Sequence, residues 1–162
     1  MQRTDDYWST YTEKDIQISG LFFDDCVQSY APTLFNYYSN ITTFALNTSI
    51  LFNSFSPLIF NPGTLMDYEY FSLADNVVMS EESWESYESG TNTATSINST
   101  LRSRSSIIIN DFTGSAAEQA STVTSVAEAG VSGIFVTTTD YGDVSSLWTQ
   151  FVAAVSSKLE GT

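Results

Sequence analysis

The chain has 162 residues, of which 42% are hydrophobic and 14% aromatic, enough for a domain with a packed core and too apolar for a disordered chain. Nineteen acidic residues against five basic ones, with no histidine, give a net charge of -14 that repels a phosphate backbone or an anionic membrane surface. Nucleic acid and membrane are therefore excluded as natural partners, while a neutral ligand is tolerated and a cationic polymer attracted.

The opening residues 1–6 are polar, and no apolar signal segment follows them. Residues 5–15, with Tyr7, Trp8 and Tyr11 among polar neighbours, suit a short helix packing its aromatic side on the next strand. That strand is Gly20–Phe23, which runs straight into Asp24 and Asp25, as a buried parallel strand does when it delivers acids to a barrel mouth. Cys26, the one cysteine, cannot make an internal disulfide. Pro32 suits the first turn of a helix running to about residue 52, with the aromatics at 35, 38 and 44 on its buried side.

Pro57–Phe60 reads as the second strand, ended by the turn Asn61-Pro62-Gly63, and a short helix through Leu65–Leu73 leads to a third strand at Val77–Ser80. An acidic and aromatic loop, Glu81 to Glu88, follows, and the Ser, Thr, Asn and Gly of residues 89–100 offer little to bury, so they read as a solvated loop. Ser106–Asp111 is the fourth strand. Residues 115–129 form a small-residue helix with Ala116, Ala120, Val123 and Ala127 on one face and Gly130 as its C-terminal cap. Gly133–Thr137 is the fifth strand, and Tyr141-Gly142-Asp143 turns into a last helix whose Leu147, Trp148, Phe151, Val152 and Val155 keep helical spacing.

Strands alternating with helices imply a parallel sheet with right-handed crossovers in a single α/β domain over residues 1–162. Two architectures fit: a five-stranded doubly wound sheet, or strands 4 to 8 of a (β/α)8 barrel, whose full length is about 250 residues. Both place a ligand beyond the carboxyl ends of the strands, where Asp24, Asp25, Asn61, Glu81 and Asn110 stand. Side chains alternate along a strand, so Asp24 and Asp25 cannot share a role.

Paired carboxylates without a histidine, a cysteine cluster or a Gly-rich phosphate loop point to glycoside cleavage, in which one acid protonates the leaving oxygen and the other attacks or activates water. Trp84, Tyr87 and Tyr141 near these ends suit stacking on sugar rings. Plainer roles compete: Glu82, Glu85 and Glu88 as solvated residues, Asn61 as a turn former, and Trp84 and, at helical spacing, Trp148 as core. Asp24, Asp25 and Glu81 could hold a hard cation, but no spaced ligand motif supports it, so neither metal nor cofactor is expected.

Gly20-Leu21-Phe22-Phe23-Asp24-Asp25, Phe60-Asn61-Pro62-Gly63-Thr64, Ala74-Asp75 through Glu81, and Gly133–Thr137 resemble, in that order, the strand motifs of the spherulin-4 family. The resemblance covers nearly the whole chain. It implies a (β/α)8 barrel of glycoside hydrolase family 135, with endo-cleavage of α-1,4-linked galactosamine polymers such as galactosaminogalactan, and it makes Gly20–Phe23 the fourth strand and Gly133–Thr137 the eighth. Asp24 then falls on the family's first acid and Asp25 on its second, which is Glu in the family pattern. Glu81 matches the acid ending the sixth strand, with Ser80 in place of Phe, and Asn110 stands where the seventh strand often ends in His.

With that resemblance, the expected roles are Asp24 as nucleophile and Glu81 as general acid/base, or the two exchanged, with Asp25 as a supporting acid and Asn61, Trp84, Asn110 and Tyr141 contacting a polysaccharide that could be cationic. A catalytically inactive carbohydrate-binding or coat protein on the same barrel is the alternative. Acceptor sequons at Asn40, Asn47 and Asn98, in a chain poor in lysine, point to a secreted or cell-wall glycoprotein whose N-terminal portion, with its signal, is absent from this chain. Half a barrel would also expose strand edges and favour association.

Overall fold

The computed structural model describes residues 20–47, 57–90 and 94–159. The helix expected over 5–15, and any extension of the following helix toward residue 52, lie outside the described residues. Strand β1 (Leu21–Phe23) is followed by helix α1 (Pro32–Asn47), strand β2 (Leu58–Phe60), a 3-10 helix at Tyr68–Ser72 and strand β3 (Asn76–Ser83). Then come the short helix α2 (Trp84–Glu88), strand β4 (Ser105–Asn110), helix α3 (Ala116–Glu128), strand β5 (Gly133–Val136) and helix α4 (Trp148–Leu159).

All neighbours pair in parallel, in the order β1-β2-β3-β4-β5. A doubly wound sheet reverses its strand order part-way so that helices cover both faces. This sheet never reverses, which corrects that alternative and leaves the one-directional winding of a barrel wall, with β1 and β5 at its edges.

Register sorts the strand residues onto two faces, since paired residues in a parallel sheet point the same way. Phe23, Phe60 and Val77 lie on one face, as do Ser105, Ile107 and Ile109 with Val136. This outer face carries the core: Phe60 packs on Tyr38 of α1 with ring centroids 5.2 Å apart, and Val123 and Val126 of α3 join the same cluster. The opposite, inner face carries Phe22 with Ile59, and Ile108 with Phe135. Phe22 is 52% exposed, so the inner wall is open at the β1 edge.

Helix α1 buries Tyr38, Thr42 and Ala45, a stripe at helical spacing that leaves Phe44 exposed, contrary to the expectation for it. Ser115 closes a reciprocal capping box with Glu118 at the start of α3, and Gly130, at φ 86°, supplies the left-handed conformation that ends it. The buried residues of α3 are Gln119, Thr122, Val123 and Val126, so Val123 is buried as expected while Ala116, Ala120 and Ala127 are not. Turning the helix by one residue adds Val126 to Val123 on the buried side, and a valine removes more apolar area from water than an alanine does.

That rotation carries Gln119 fully inside, where neither Nε2 nor Oε1 has a hydrogen-bond partner among the described residues. Gln119→Met keeps the shape and removes both unpaired atoms, so it should stabilise the fold by about 1–2 kcal/mol, read as a higher midpoint in urea or heat. A lower midpoint would show that the amide is satisfied in solution.

Two further expectations change. Glu81–Ser83 continues β3, and α2 follows with Ser83 as its cap, accepting from the Ser86 N–H, where a loop was expected. The stretch before β4 is also less solvated than its composition suggests, because Ala94 and Ile97 are buried, Ile97 to 1% exposure. Arg102 pins it, donating to the carbonyls of Ile97, Thr95 and Ala129 at 2.9, 3.1 and 3.2 Å. Arg104 does the same for the loop before β3, donating to the Phe71 carbonyl at 2.6 Å and to that of Ala74, with its guanidinium over the Phe71 ring. No described helix is long and apolar enough to cross a membrane.

Candidate active site

The site is assembled at the carboxyl ends of the strands. Backbone pairing continues past β1 and β2, with the Asn61 N–H donating to the Phe23 carbonyl at 2.8 Å and the Cys26 N–H to the Asn61 carbonyl at 2.9 Å. Alternation then keeps Asp24 on the face of Phe22, and Asn61 on that of Ile59. Pro62 and Gly63, the latter at φ 67°, turn the chain so that the Gly63 N–H meets Asn61 Oδ1 at 3.0 Å. An N–H can only donate, so the amide oxygen must face the turn and the amide nitrogen must face away from it.

That nitrogen donates to both acids: to Asp24 Oδ1 at 2.8 Å and to Glu81 Oε2 at 2.5 Å. Asn61 therefore forms the turn and also bridges the two carboxylates. The facing oxygens cannot be further apart than these two bonds laid end to end.

Glu81 reaches the inner face through an irregularity in β3. Val78 pairs with Ser106 and Ser80 with Ile107, so Met79 is an extra residue, a bulge. Without a bulge, alternation would set Glu81 with Val77 on the outer, helix-covered face. The bulge restores the phase, and Glu81 pairs with Ile108 on the same side as Asn110.

The other oxygen, Oε1, accepts from the Tyr141 hydroxyl at 2.8 Å, and that hydroxyl accepts from Asn110 Nδ2 at 3.1 Å. Tyr141 holds a left-handed φ of 70°, a conformation a bulky side chain adopts only when its surroundings impose it. Its phenol is pushed up to about 12, chiefly by burial and further by the Glu81 carboxylate, against a lowering bond from Asn110. It is thus a protonated, neutral donor at neutral pH. The result is one chain of hydrogen bonds, Asp24–Asn61–Glu81–Tyr141–Asn110, drawn from the ends of all the strands.

Asp25 and Trp84 stand outside it. Asp25 sits at φ 51° in the turn after β1, and its carboxylate joins none of these bonds, so the turn separates the two acids more sharply than strand alternation alone. Trp84, read both as a sugar platform and as core, packs on Phe112, with centroids 4.5 Å apart, and stacks on Tyr87. Asn40 and Asn47 on α1 and Asn98 before β4 are exposed and away from the network, and Asn98 Oδ1 accepts from Thr100 N–H and Oγ1 at 3.1 and 3.0 Å. Among the described residues no group of three or more acids, histidines or cysteines is placed to hold a metal, and the Asn61 nitrogen lies between Asp24 and Glu81 where an ion would bridge them.

The model of the spherulation-specific family 4 matches residues 2–155. The chain belongs to that family. Among solved structures, the crystal structure of Aspergillus clavatus Sph3 in complex with GalNAc is similar, with a TM-score of 0.76 and 24% identity over 85% of this chain. The likeness establishes the TIM-barrel-like fold, and the chain spans 56% of that protein. No individually curated protein matches it.

In this spherulin-4 chain, sequence reasoning missed Trp148 and Asp143. Helical spacing assigned Trp148 to the core, but it begins α4 at the open β5 edge and is 46% exposed. With Phe135, Thr137, Tyr141, Asp143 and Val144 it lines a cleft of about 320 Å³ that shares Tyr141 with the hydrogen-bond network. The available signal was its position just after a strand-end loop, where a helix start faces the site and not the core.

Proposed function

We propose that this chain carries the two-carboxylate centre of a secreted endo-glycoside hydrolase acting on α-1,4-linked galactosamine or N-acetylgalactosamine polymer. The observation that carries the reading is the single amide nitrogen bonded to both Asp24 and Glu81. It holds the facing oxygens within the separation of about 5–5.5 Å used by retaining enzymes, short of the roughly 6.5–9.5 Å that admits a water in inverting ones. Family membership and the GalNAc bound by the Sph3 relative support a carbohydrate ligand.

In this mechanism Asp24, anchored through Oδ1, attacks the anomeric carbon with its other oxygen, while Glu81 passes a proton to the leaving glycosidic oxygen. A water then attacks the glycosyl–Asp24 ester, giving its proton back to Glu81, and the sugar leaves with retained configuration. Tyr141 and Asn61 orient Glu81 through its two oxygens. Asp25 is a charge near the site, not a reacting group.

The test incubates the chain with soluble galactosamine polymer, following reducing ends and, by proton NMR, the anomer formed first. Oligomers whose first anomer is α support the proposal, and β product would replace retention with inversion. The shorter Asp25, outside the network, favours a second reading in which the protein binds saccharide without turnover. Binding with no release of reducing ends would select it. Secretion and glycan addition at Asn40, Asn47 and Asn98 belong to the same proposal, checked by a mobility shift of the secreted protein on treatment with an N-glycan amidase.

A further inference from the structure

We infer that Cys26 and Tyr38 are positioning residues for Asp24, because their side chains carry a relay of hydrogen bonds that ties the turn bearing this acid to helix α1. The effect on turnover rests on the glycosidase reading above, and the effect on the turn rests on the hydrogen bonds alone.

The turn Phe23–Cys26 needs such a tie. Asp25, at φ 51°, holds a residue with a side chain in the left-handed region, a conformation that persists only when surrounding contacts impose it. A four-residue turn is ordinarily closed by the N–H of its last residue donating to the carbonyl of its first. Here the Cys26 N–H is used elsewhere, donating to the Asn61 carbonyl at 2.9 Å. The thiol takes its place, with Cys26 Sγ donating to the Phe23 carbonyl at 3.2 Å. That carbonyl also accepts the Asn61 N–H at 2.8 Å, so thiol and backbone meet one residue before Asp24.

The relay continues into the core, where Cys26 and Tyr38 are 7% and 8% exposed. The sulfur is bonded to the Tyr38 hydroxyl, whose oxygen accepts from the Val27 N–H at 3.2 Å. The one proton of the thiol points at Phe23, so the phenol must donate to the sulfur. The bonds therefore run in one direction, Val27 N–H to Tyr38, Tyr38 O–H to Cys26, Cys26 S–H to Phe23, and close a ring on the segment that carries Asp24. Burial is the main cause that pushes both the Cys26 thiol and the Tyr38 phenol up from their ordinary values, so both keep the proton the relay uses. The Tyr38 ring packs on Phe60 and Tyr70, with centroids 5.2 and 5.7 Å apart, which fixes the place from which its hydroxyl holds the turn. Asp24 is thus held from two sides. Asn61 fixes its carboxylate on the inner face, and Cys26 with Tyr38 fixes its backbone from the outer one.

The experiment compares Cys26→Ala, Cys26→Ser and Tyr38→Phe in the whole chain, following release of reducing ends from galactosamine polymer and, by NMR, exchange of the backbone amides. Serine and alanine are both smaller than cysteine, and only serine can donate to Phe23. Cys26→Ala and Tyr38→Phe should each lower kcat by about tenfold with KM within about twofold, and the double variant should lose little more than the worse single. Cys26→Ser should recover kcat to within about threefold of the parent. The Asn61 and Cys26 amides should exchange about tenfold faster in Cys26→Ala and Tyr38→Phe, with those of Ile107–Ile109 unchanged. Alanine and serine variants that behave alike, or faster exchange spread evenly over all the strands, overturn the anchor. Faster exchange confined to Asn61 and Cys26 and reversed by serine, in a chain that hydrolyses no polymer, would leave the anchor standing and remove the glycosidase reading. Hydrolysis with kcat and exchange unchanged in Cys26→Ala would do the reverse.

Discussion

Asn61→Asp should lower turnover on galactosamine polymer by a factor on the order of 10² or more while the chain still folds. The substitution separates the two functions of one side chain. An aspartate oxygen still accepts from the Gly63 N–H, so the turn after β2 survives. The donor that joined Asp24 to Glu81 is gone, replaced by an acceptor that repels both. An Asn61→Asp chain as active as the original would show that the bridge is incidental and that Asn61 serves only the turn.

Asp24→Asn and Glu81→Gln should each reduce turnover by about 10²–10⁴-fold or more, and combining them should cost little beyond the worse of the two. Groups that act as a unit are not additive: once the nucleophile is gone, the proton donor has nothing to assist. The roles can be told apart with a substrate bearing an activated aryl leaving group, which needs no proton. Glu81→Gln should keep much of its initial burst on that substrate and Asp24→Asn should not, whereas the opposite pattern would exchange the two roles. Neither variant loses a core contact, so both should melt as one transition within a few degrees of the parent.

Much of the architecture was legible because its signals are local and strong. Apolar runs such as Leu58–Phe60 and Ile107–Ile109, each punctuated by Gly, Pro or Asn, mark buried parallel strands with their ends. Asp24, Glu81, Asn61 and Asn110 were found by the rule that ligands meet strand carboxyl ends, and the structure brings these four, with Tyr141, into one network that leaves Asp25 outside. What escaped depends on contacts far apart in sequence. That Asn61 touches both acids needs three strands in register. That Trp148 is exposed and Trp84 partly buried against Phe112 depends on which neighbours reach them, which helical spacing does not record. Buried Gln119 escaped for the same reason, since an alanine-rich face looked the better side of α3 on composition alone.

The extra residue in β3 bears on how chain length, as distinct from chain composition, limits change in this protein. Met79 lies between Val78 and Ser80 without a partner on β4, and from Ser80 onward each residue already has the pairing of an unbroken strand. A chain shortened by that one residue would still aim its acid at Asn61, losing the buried Met79 side chain and the contact of its sulfur with the Met66 N–H at 3.4 Å. A chain lengthened or shortened between Ser80 and Glu81 would turn the acid into the helix layer. Gaps at one bond are therefore neutral for chemistry, and gaps two bonds later are lethal. Relatives of this chain should differ in length on the Val78 side of Ser80 far more readily than on the Glu81 side.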